Sequence, residues 1–327
     1  MSTGLQVIRY TEDRKPQWDQ FLAASNMDSI LLYRSFMDYH KDRFTDFSVM
    51  VLSDNEVVAV FPANVVDTVL HSHQGLTFGG LILRSWEKTA STLRILHDLL
   101  AFLQEQGITE IRWKQSPVFY FNRPSDAVEY GIFLAGGTLS RMDLAYAVDP
   151  KHLESQKIQE RRRRAIKKAR QQQVVVAESE GFDSFWNEVL SPNLMQRFGV
   201  NPVHSLEEIK RLAADNPGKI RQFTATLNGE VLAGATMFVS GTVAHAQYIS
   251  ASDLGRDNGA IDLLFYELIT NYFAGYQLFD FGIANEEQGR KINKGLMDWK
   301  EGFSSLPYAH RFYTIPTSGY PAILHAL

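Results

Sequence analysis

Residues 220–252 read IRQFTATLNGEVLAGATMFVSGTVAHAQYISAS, and the fold of the chain is organised around this stretch. Two apolar runs, 222–227 and 230–239, flank Asn228-Gly229. This pair tolerates positive φ at both positions and is a strong signal for a tight hairpin. A third run, 243–250, alternates in polarity with the strand period of two. The stretch therefore predicts a hairpin followed by a third strand.

The chain beyond this stretch predicts a loop, a helix and a further strand. Residues 253–259 are polar and contain glycine, which is typical of a loop. From 261 to 272, apolar residues recur at three-and-four spacing, the pattern of an amphipathic helix. Residues 277–283 then read as a strand with aromatic residues on one face and Asp280 on the other.

The order hairpin, strand, glycine-bearing loop, helix and strand resembles the core of a GNAT-type acyltransferase. In that family the loop before the long helix offers backbone N–H groups to the pyrophosphate of a coenzyme A thioester. The resemblance implies that Arg256, Asp257, Asn258 and Gly259 bind coenzyme A, although Ile261 stands where the family has a small residue. Acyl-coenzyme A is thus a candidate co-substrate, and no tightly bound cofactor is expected.

Residues 289–303, GRKINKGLMDWKEGF, indicate a narrower group. Their Gly-Leu, aromatic-Lys and Gly-Phe pairs resemble the C-terminal signature of the FemAB-like subgroup of GNAT proteins. Characterised members include enzymes that transfer aminoacyl groups from tRNA onto the peptide of cell-wall precursors. The resemblance implies that Lys300 stabilises the reacting carbonyl or positions the substrate. Candidate substrate-binding residues in this signature are Trp299, where the family often has Phe, Asn293 and Lys294. Arg197, earlier in the chain, is a further candidate for holding a phosphate or carboxylate group.

The first half of the chain repeats the element order of the second half. The distance from Asn55 to Ile111 is 56 residues (111 − 55), and that from Gly229 to Phe279 is 50 (279 − 229). Such a period is too long for a solenoid and predicts two related domains. The predicted class is α/β, with tandem duplicated GNAT-like domains, each a mixed, largely antiparallel sheet flanked by helices. The FemAB-like family is also built from two such domains.

The two predicted domains have different roles. Residues 1–150 form the first GNAT-like domain, and residues 151–327 form the second, with the presumed active site. The first copy has Arg84-Ser85-Trp86-Glu87 where the second has its glycine-bearing loop. We therefore expect the first domain to act as a scaffold and one wall of a substrate cleft.

Composition narrows the class of protein further. The 327 residues are 45% hydrophobic and 12% aromatic, enough for two cores. Because no apolar run reaches the length of a membrane span and the N-terminus lacks a signal-peptide core, a soluble cytoplasmic protein is expected. The absence of cysteine excludes disulfides, thiolate zinc sites and a cysteine nucleophile. His71 and His73 have a spacing compatible with metal but lack a third ligand, so no metal site is expected.

A dense basic block lies at the entry to the second domain, although the net charge of the chain is −4. Residues 157–170, KIQERRRRAIKKAR, contain eight Lys or Arg and one Glu around a thin apolar stripe, which predicts a helix that touches the core along one edge. The block is either a solvated face or a site for a polyanion, with Arg161 and Arg164 as candidate contacts. FemAB-like proteins carry a similar stretch. An aminoacyl-tRNA or a diphosphate-linked substrate would suit it.

Acyl transfer to an amine needs alignment, removal of a proton and stabilisation of an oxyanion, but no nucleophilic side chain. Asp280 is a candidate general base or amine-positioning group, or else a structural carboxylate. Tyr248 is a candidate hydrogen-bond donor to the tetrahedral intermediate, or else a half-buried sheet tyrosine. The leading hypothesis is an N-acyltransferase that moves an acyl or aminoacyl group onto a small-molecule or peptide amine. The alternative is a non-catalytic module that binds an anionic or nucleotide-linked ligand.

Overall fold

A computed structural model describes residues 4–153 and 157–327 of the chain. The strands are β1 Leu5–Arg9, β2 Val49–Ser53, β3 Glu56–Phe61, β4 Asn64–Val66, β5 Val69–His71, β6 Ile82–Leu83, β7 Glu110–Lys114, β8 Thr138–Val148, β9 Val175–Glu178, β10 Ile220–Leu227, β11 Glu230–Ser240, β12 Val243–Ala251, β13 Leu278–Ile283, β14 Asn285–Glu286, β15 Lys291–Ile292 and β16 Leu306–Pro316. The helices are α1 Lys15–Ala24, α2 Arg34–Met37, α3 Thr89–Glu105, α4 Ala127–Leu134, α5 Glu160–Gln171, α6 Ser191–Phe198, α7 Leu206–Asp215, α8 Asp253–Asn258, α9 Ala260–Glu267, α10 Lys294–Glu301 and α11 Pro321–Leu324. Across the described ranges, no helix combines the length and the apolar character that a bilayer span requires.

The chain forms two compact units. The first contains the residues up to Asp143 together with Ala309–Leu327, and the second is Leu144–Tyr308. The C-terminal segment therefore lies in the first unit, whereas the predicted boundary at residue 150 put it in the second domain. The physical reason is non-local, because residues 312–316 of β16 pair with β7 and Ile315 is buried in the hydrophobic core of the first unit.

The first unit contains a meander of β1, β2, β3 and β6 and a second group of strands in which β5 and β7 are parallel. Helix α3 buries a leucine-rich face against these strands, as expected from apolar residues at three-and-four spacing. Residues buried along this face include Leu93, Leu96, Leu99, Leu100 and Leu103.

The second unit contains strands in the order β13, β12, β11, β10 and β9, and β12 and β13 are parallel. The hairpin between β10 and β11 turns at Asn228 and Gly229, with φ values of 53° and 85°, as the Asn-Gly signal predicts. Helix α9 packs its apolar stripe on one face of these strands. A π-helical turn, Phe185–Leu190, lies on the other face, where Gly234 makes room for the Phe185 ring. The predicted duplicated α/β class is confirmed.

Candidate active site

The candidate site begins where β12 and β13 stop pairing. These parallel strands are in register only at Val243 with Leu278, Ala244 with Phe279, and His245 with Asp280. Strand β12 then continues to Ala251 along β11 through an irregularity between Thr236 and Met237 on β11. Beyond the last paired position the two strands diverge, and the region between them is referred to as the gap.

His245 and Asp280 meet at this last paired position. The Nδ1 atom of His245 lies 2.8 Å from Oδ2 of Asp280, and Oδ1 of Asp280 accepts a hydrogen bond from the Gly282 N–H at 2.7 Å. The neighbouring residues Phe279 and Phe281 point to the opposite face and pack against Phe265 of α9. Asp280 therefore lies on the face of β13 opposite Phe279 and Phe281, as predicted.

The environment of Asp280 differs from the one expected of a lone general base. Its side chain is 4% exposed, whereas that of His245 is 15% exposed. Asp280 is thus placed to orient the imidazole, and the imidazole is the group that reaches the surface of the gap. Sequence reasoning overlooked His245. The signal that identifies it is the parallel register, which sets the third residue of β12 opposite the third residue of β13.

Lys300 lies on α10 and is buried beside the end of β13. Its Nζ donates hydrogen bonds to the carbonyl oxygens of Gly282 at 2.8 Å and Ile283 at 2.6 Å. Burial lowers the pKa of Lys300 to about 8, and the charge of nearby Asp280 opposes this shift. The direct contact with the reacting carbonyl that the family resemblance implies stays a prediction. In this geometry Lys300 holds the backbone that follows Asp280.

The hydroxyl of Tyr248 is engaged by His204. Its hydroxyl accepts a hydrogen bond from the backbone N–H of His204 at 3.1 Å and lies 2.6 Å from Nδ1 of the same residue. The ring is buried and packs edge-on against Trp186 at a centroid distance of 5.0 Å. The hydroxyl is thus engaged inside the second unit, and the role of Tyr248 as a donor to the tetrahedral intermediate stays a prediction.

The expected open loop at residues 253–259 is wrong, because the segment is helix α8 followed directly by α9. Its first turn is capped by Ser252, whose Oγ accepts from the Gly255 N–H at 3.1 Å. The guanidinium of Arg256 is bound by the carbonyl oxygen of Ala251 and by Asp253. The carbonyl oxygen of Asp257 accepts a hydrogen bond from Lys168.

Gly259 has a packing role in this arrangement. It has φ +75°, and a Cβ at this position would lie 2.4 Å from the carbonyl oxygen of Ala165 on α5. Its N–H donates to the carbonyl oxygen of Arg256, and neighbouring Asn258 is buried. The N–H of Gly259 is therefore already engaged within the chain and is not available to a pyrophosphate. Coenzyme A binding by residues 256–259 stays a prediction that this geometry does not favour.

Substituting Gly259 by alanine is expected to lower the free energy of unfolding by about 2–4 kcal/mol, because a left-handed backbone and a clash with backbone atoms act together. Gly199 provides the matched control, since it has φ +65° and a Cβ added there would meet no heavy atom within 4 Å. Urea denaturation of both variants measures the difference. Equal effects of Gly259→Ala and Gly199→Ala would remove the packing role of Gly259.

The basic block forms α5, as predicted, with its apolar stripe in the core of the second unit. Arg162 is buried and pairs with Asp262 of α9. The other basic residues of the helix are exposed: Arg161, Arg163, Arg164, Lys167, Lys168 and Arg170. Within the described ranges, Arg161 and Lys167 have no hydrogen bond or ion pair, whereas Arg163 and Arg164 both contact Glu160. The exposed face therefore carries a strong positive field.

A cleft of about 390 Å³ runs along this basic face. Its floor is apolar, with Ile158 and Ile166, and Tyr266 of α9 closes one side. Its rim includes Lys167 and Arg170. The guanidinium of Arg170 lies 5.0 Å above the centre of the Tyr266 ring. A ligand with a flat ring and a phosphate group has matching partners in this cleft.

The remaining predicted substrate-binding residues lie on α6 and on α10 with its N-cap. Arg197 ends α6 and approaches Asp253 at 4.0 Å. Asn293 caps α10 by accepting from the Leu296 N–H at 3.0 Å. Lys294 begins α10 and is exposed. Trp299 packs edge-on against Phe265 at 4.8 Å, so its ring belongs to the core of the unit. Their binding roles stay predictions.

Comparison with known proteins identifies the class. Residues 156–301 match the family model described as an acetyltransferase (GNAT) domain. The fold is similar to that of FemX, with a TM-score of 0.68 and 13% identity over 96% of this chain and 98% of FemX. It is also similar to the C-terminal domain of a putative lysylphosphatidylglycerol synthetase from Agrobacterium fabrum, with a TM-score of 0.62 and 13% identity over 97% and 95% of the two chains. No curated protein has a significantly similar sequence.

A third similar structure is a tandem GNAT protein from the clavulanic acid biosynthesis pathway, with a TM-score of 0.54 and 10% identity over 96% of this chain and 99% of that one. Together with the match to an acetyltransferase (GNAT) domain in the second unit, these similarities confirm the predicted fold, a tandem GNAT-like architecture of the FemAB-like type. The alternative of a non-catalytic binding module is not favoured by them.

Proposed function

We propose that this protein transfers an aminoacyl group from an aminoacyl-tRNA to the amine of a small-molecule or peptide acceptor. The observation that carries the proposal is the exposed basic face of α5 with its adjoining cleft. Six exposed cations on a helix of 12 residues form a surface that attracts a polyphosphate chain strongly. A compact thioester needs a small anion cradle instead, and the N–H of Gly259 already donates to the carbonyl oxygen of Arg256.

Two further features support this donor. The cleft beside Tyr266 combines an aromatic ring with Lys167, which suits a stacked base and its phosphate at the end of a single strand. One protein of similar fold is the C-terminal domain of a putative lysylphosphatidylglycerol synthetase, so this fold is compatible with the transfer of an aminoacyl group.

The reaction is an aminolysis of an ester. The amine nitrogen attacks the carbonyl carbon of the aminoacyl ester, a C–N bond forms, and the C–O bond to the terminal ribose breaks. The amine loses a proton and the departing ribose oxygen gains one. The active-site gap between β12 and β13 supplies the place where the amine and ester meet, because strand divergence exposes His245 there.

The test uses total tRNA charged with labelled amino acids and a panel of amines: a polyamine, a lysine-containing peptide and an amino sugar. Acetyl-coenzyme A carrying a labelled acetyl group is offered in parallel. Transfer from tRNA gives label in an amide, which survives mild alkali that hydrolyses the aminoacyl ester. Label arriving only from acetyl-coenzyme A would overturn the proposed donor, and no amide from either donor would overturn the proposed function.

Binding of tRNA is expected to fall steeply with salt. The triple variant Arg161→Gln/Arg164→Gln/Lys167→Gln should reduce the slope of log affinity against log salt by about two to three, because each lost phosphate contact removes a little under one unit. The matched control is Lys88→Gln/Arg94→Gln/Arg211→Gln, which removes the same charge from exposed positions outside α5. Filter binding at several salt concentrations provides the measurement. Equal slopes for the two triple variants would contradict the role of α5.

A further inference from the structure

The His245–Asp280 pair has the geometry of a positioned base. A carboxylate only accepts hydrogen bonds, so the 2.8 Å contact to Oδ2 of Asp280 places the imidazole proton on Nδ1. The lone pair of the neutral ring then lies on Nε2. The Gly282 N–H bond to Oδ1 fixes the carboxylate from its other side. The basic atom of the pair is therefore Nε2 of His245.

The surroundings leave Nε2 available. In the described part of the chain, no hydrogen bond or ion pair involves this atom, and the His245 side chain is 15% exposed. Gly282 has φ +73°, and a Cβ there would lie 3.3 Å from Cε1 of the imidazole. Glycine at this position lets β13 turn away after Asp280 without placing a side chain over the ring. The imidazole thus lies at the edge of the gap between β12 and β13.

The first unit contains a histidine, His71, that corresponds to His245 but faces a different residue. Both repeats contain Thr-Val-x-His, at 68–71 and 242–245, and each histidine lies 15 residues after a glutamate that begins a strand (71 − 56 and 245 − 230). Each histidine also ends the register with a parallel strand, where His71 faces Arg112 and His245 faces Asp280.

The first unit cannot orient its histidine in the same way. Arg112 pairs with Glu110 at 2.6 Å and donates to Thr314, and burial together with Lys114 and Arg112 lowers the pKa of His71. The second unit has a carboxylate at the corresponding position. Both units carry the corresponding histidine, but only His245 has an aspartate, Asp280, opposite it. Asp280 is therefore the difference that allows His245 to act as a base.

We infer that His245 is the general base of the amine acylation, with Asp280 as its positioning residue; this inference rests on the proposed function. Nε2 takes a proton from the attacking amine as the C–N bond forms. The same proton passes to the ribose oxygen as the ester C–O bond breaks, so the imidazole returns to its neutral form. Aspartate fixes the tautomer throughout and stabilises the transient imidazolium.

The other ionisable groups near the pair do not compete for this role. Both oxygens of Asp280 are engaged, and its side chain is 4% exposed. Lys300 faces Asp280 from α10 but directs its Nζ to the carbonyl oxygens of Gly282 and Ile283. Tyr146 of β8 presents only its ring to Lys300, at 6.0 Å. Lys300 therefore acts as a positioning residue for the turn after Asp280.

The kinetic test compares His245→Gln, Asp280→Asn and the matched control His71→Gln. We expect His245→Gln to lower kcat about 100- to 10,000-fold with unchanged affinity for tRNA, because the glutamine amide cannot accept the proton. Asp280→Asn should lower kcat while keeping the size of the side chain. His71→Gln should keep wild-type kcat. Added imidazole should raise the rate of His245→Gly, because it can replace the missing base.

Failure of the inference is distinguishable from failure of the proposed function. An active wild type together with a His245→Gln variant that retains more than half of its kcat would overturn the inference and leave the donor assignment intact. An experiment without substrate uses long-range ¹⁵N–¹H spectra of the imidazole, assigned by comparison with His245→Gln. The Nδ1–H tautomer is expected for neutral His245 in the wild type. The Nε2–H tautomer would overturn the inference even if no donor were ever found.

Discussion

Lys300→Met is expected to lower kcat by about 100-fold, because the turn after Asp280 shifts when its ammonium anchor is removed and a displacement of about 1 Å in a reacting group has this cost. Methionine cannot donate to the carbonyl oxygens of Gly282 and Ile283, and each unsatisfied buried group costs about 1–3 kcal/mol. Steady-state kinetics and urea denaturation measure the two effects. Wild-type kcat in a folded variant would remove Lys300 from the mechanism.

Lys114→Met is the matched control, since Lys114 is a half-buried lysine of the first unit whose amine donates to backbone carbonyl oxygens, including that of Leu76 at 2.8 Å. Burial lowers its pKa to about 8, as it does for Lys300. We expect Lys114→Met to lower stability without lowering kcat of the folded protein. A similar loss of kcat in both variants would mean that Lys300 contributes only to general stability.

The pH dependence of stability provides a second test of Lys300. Its pKa is about 8 in the folded protein and 10.5 in the unfolded chain, so the folded state binds fewer protons between these values. The burial penalty of the charged amine is therefore present in full below pH 8, and stability rises with pH through this window. The wild type should gain about 3 kcal/mol over Lys300→Met between pH 8 and 10.5. Parallel stability curves for the two proteins would contradict the buried, charged environment.

Breaking the buried Arg162–Asp262 pair is expected to have the largest effect on stability. Asp262→Leu leaves the Arg162 guanidinium without its partner, which costs about 3–5 kcal/mol. Arg162→Met should cost less, because burial raises the pKa of Asp262 and the carboxyl group can take up a proton. The double variant Arg162→Met/Asp262→Leu should recover most of the loss, since it leaves no unpaired charge.

A double-mutant cycle by urea denaturation at neutral pH measures this coupling. Additive losses in the double variant would contradict a coupled buried pair. The result also bears on tRNA binding, because this pair and Gly259 hold α5 against α9 and α8. The charges that face solvent on α5 are unchanged in the cycle, so a loss of tRNA affinity in the single variants would report misplacement of the helix.

Local sequence patterns determined the parts of this protein that depend on neighbouring residues. Asn228-Gly229 specified its hairpin because both positions adopt positive φ. The apolar stripe of α9 and the charged faces of α5 follow from helical periodicity, and the repeated order of elements indicated the duplication. The GNAT-like fold of the FemAB-like type was predicted from these patterns and from the motif around Lys300.

The tertiary structure decided which residues meet. Asp280 finds His245 only because β12 and β13 pair in parallel, and this register depends on contacts between residues 35 positions apart. A glycine is favoured both in a phosphate-binding loop and where two helices approach closely, so the sequence around Gly259 fits either role. Only the position of α5 shows that Gly259 makes a close helix contact. Lys300 is buried because α10 packs beside β13. Periodicity along the chain specifies which face a residue occupies, but the partner on that face is set by long-range packing.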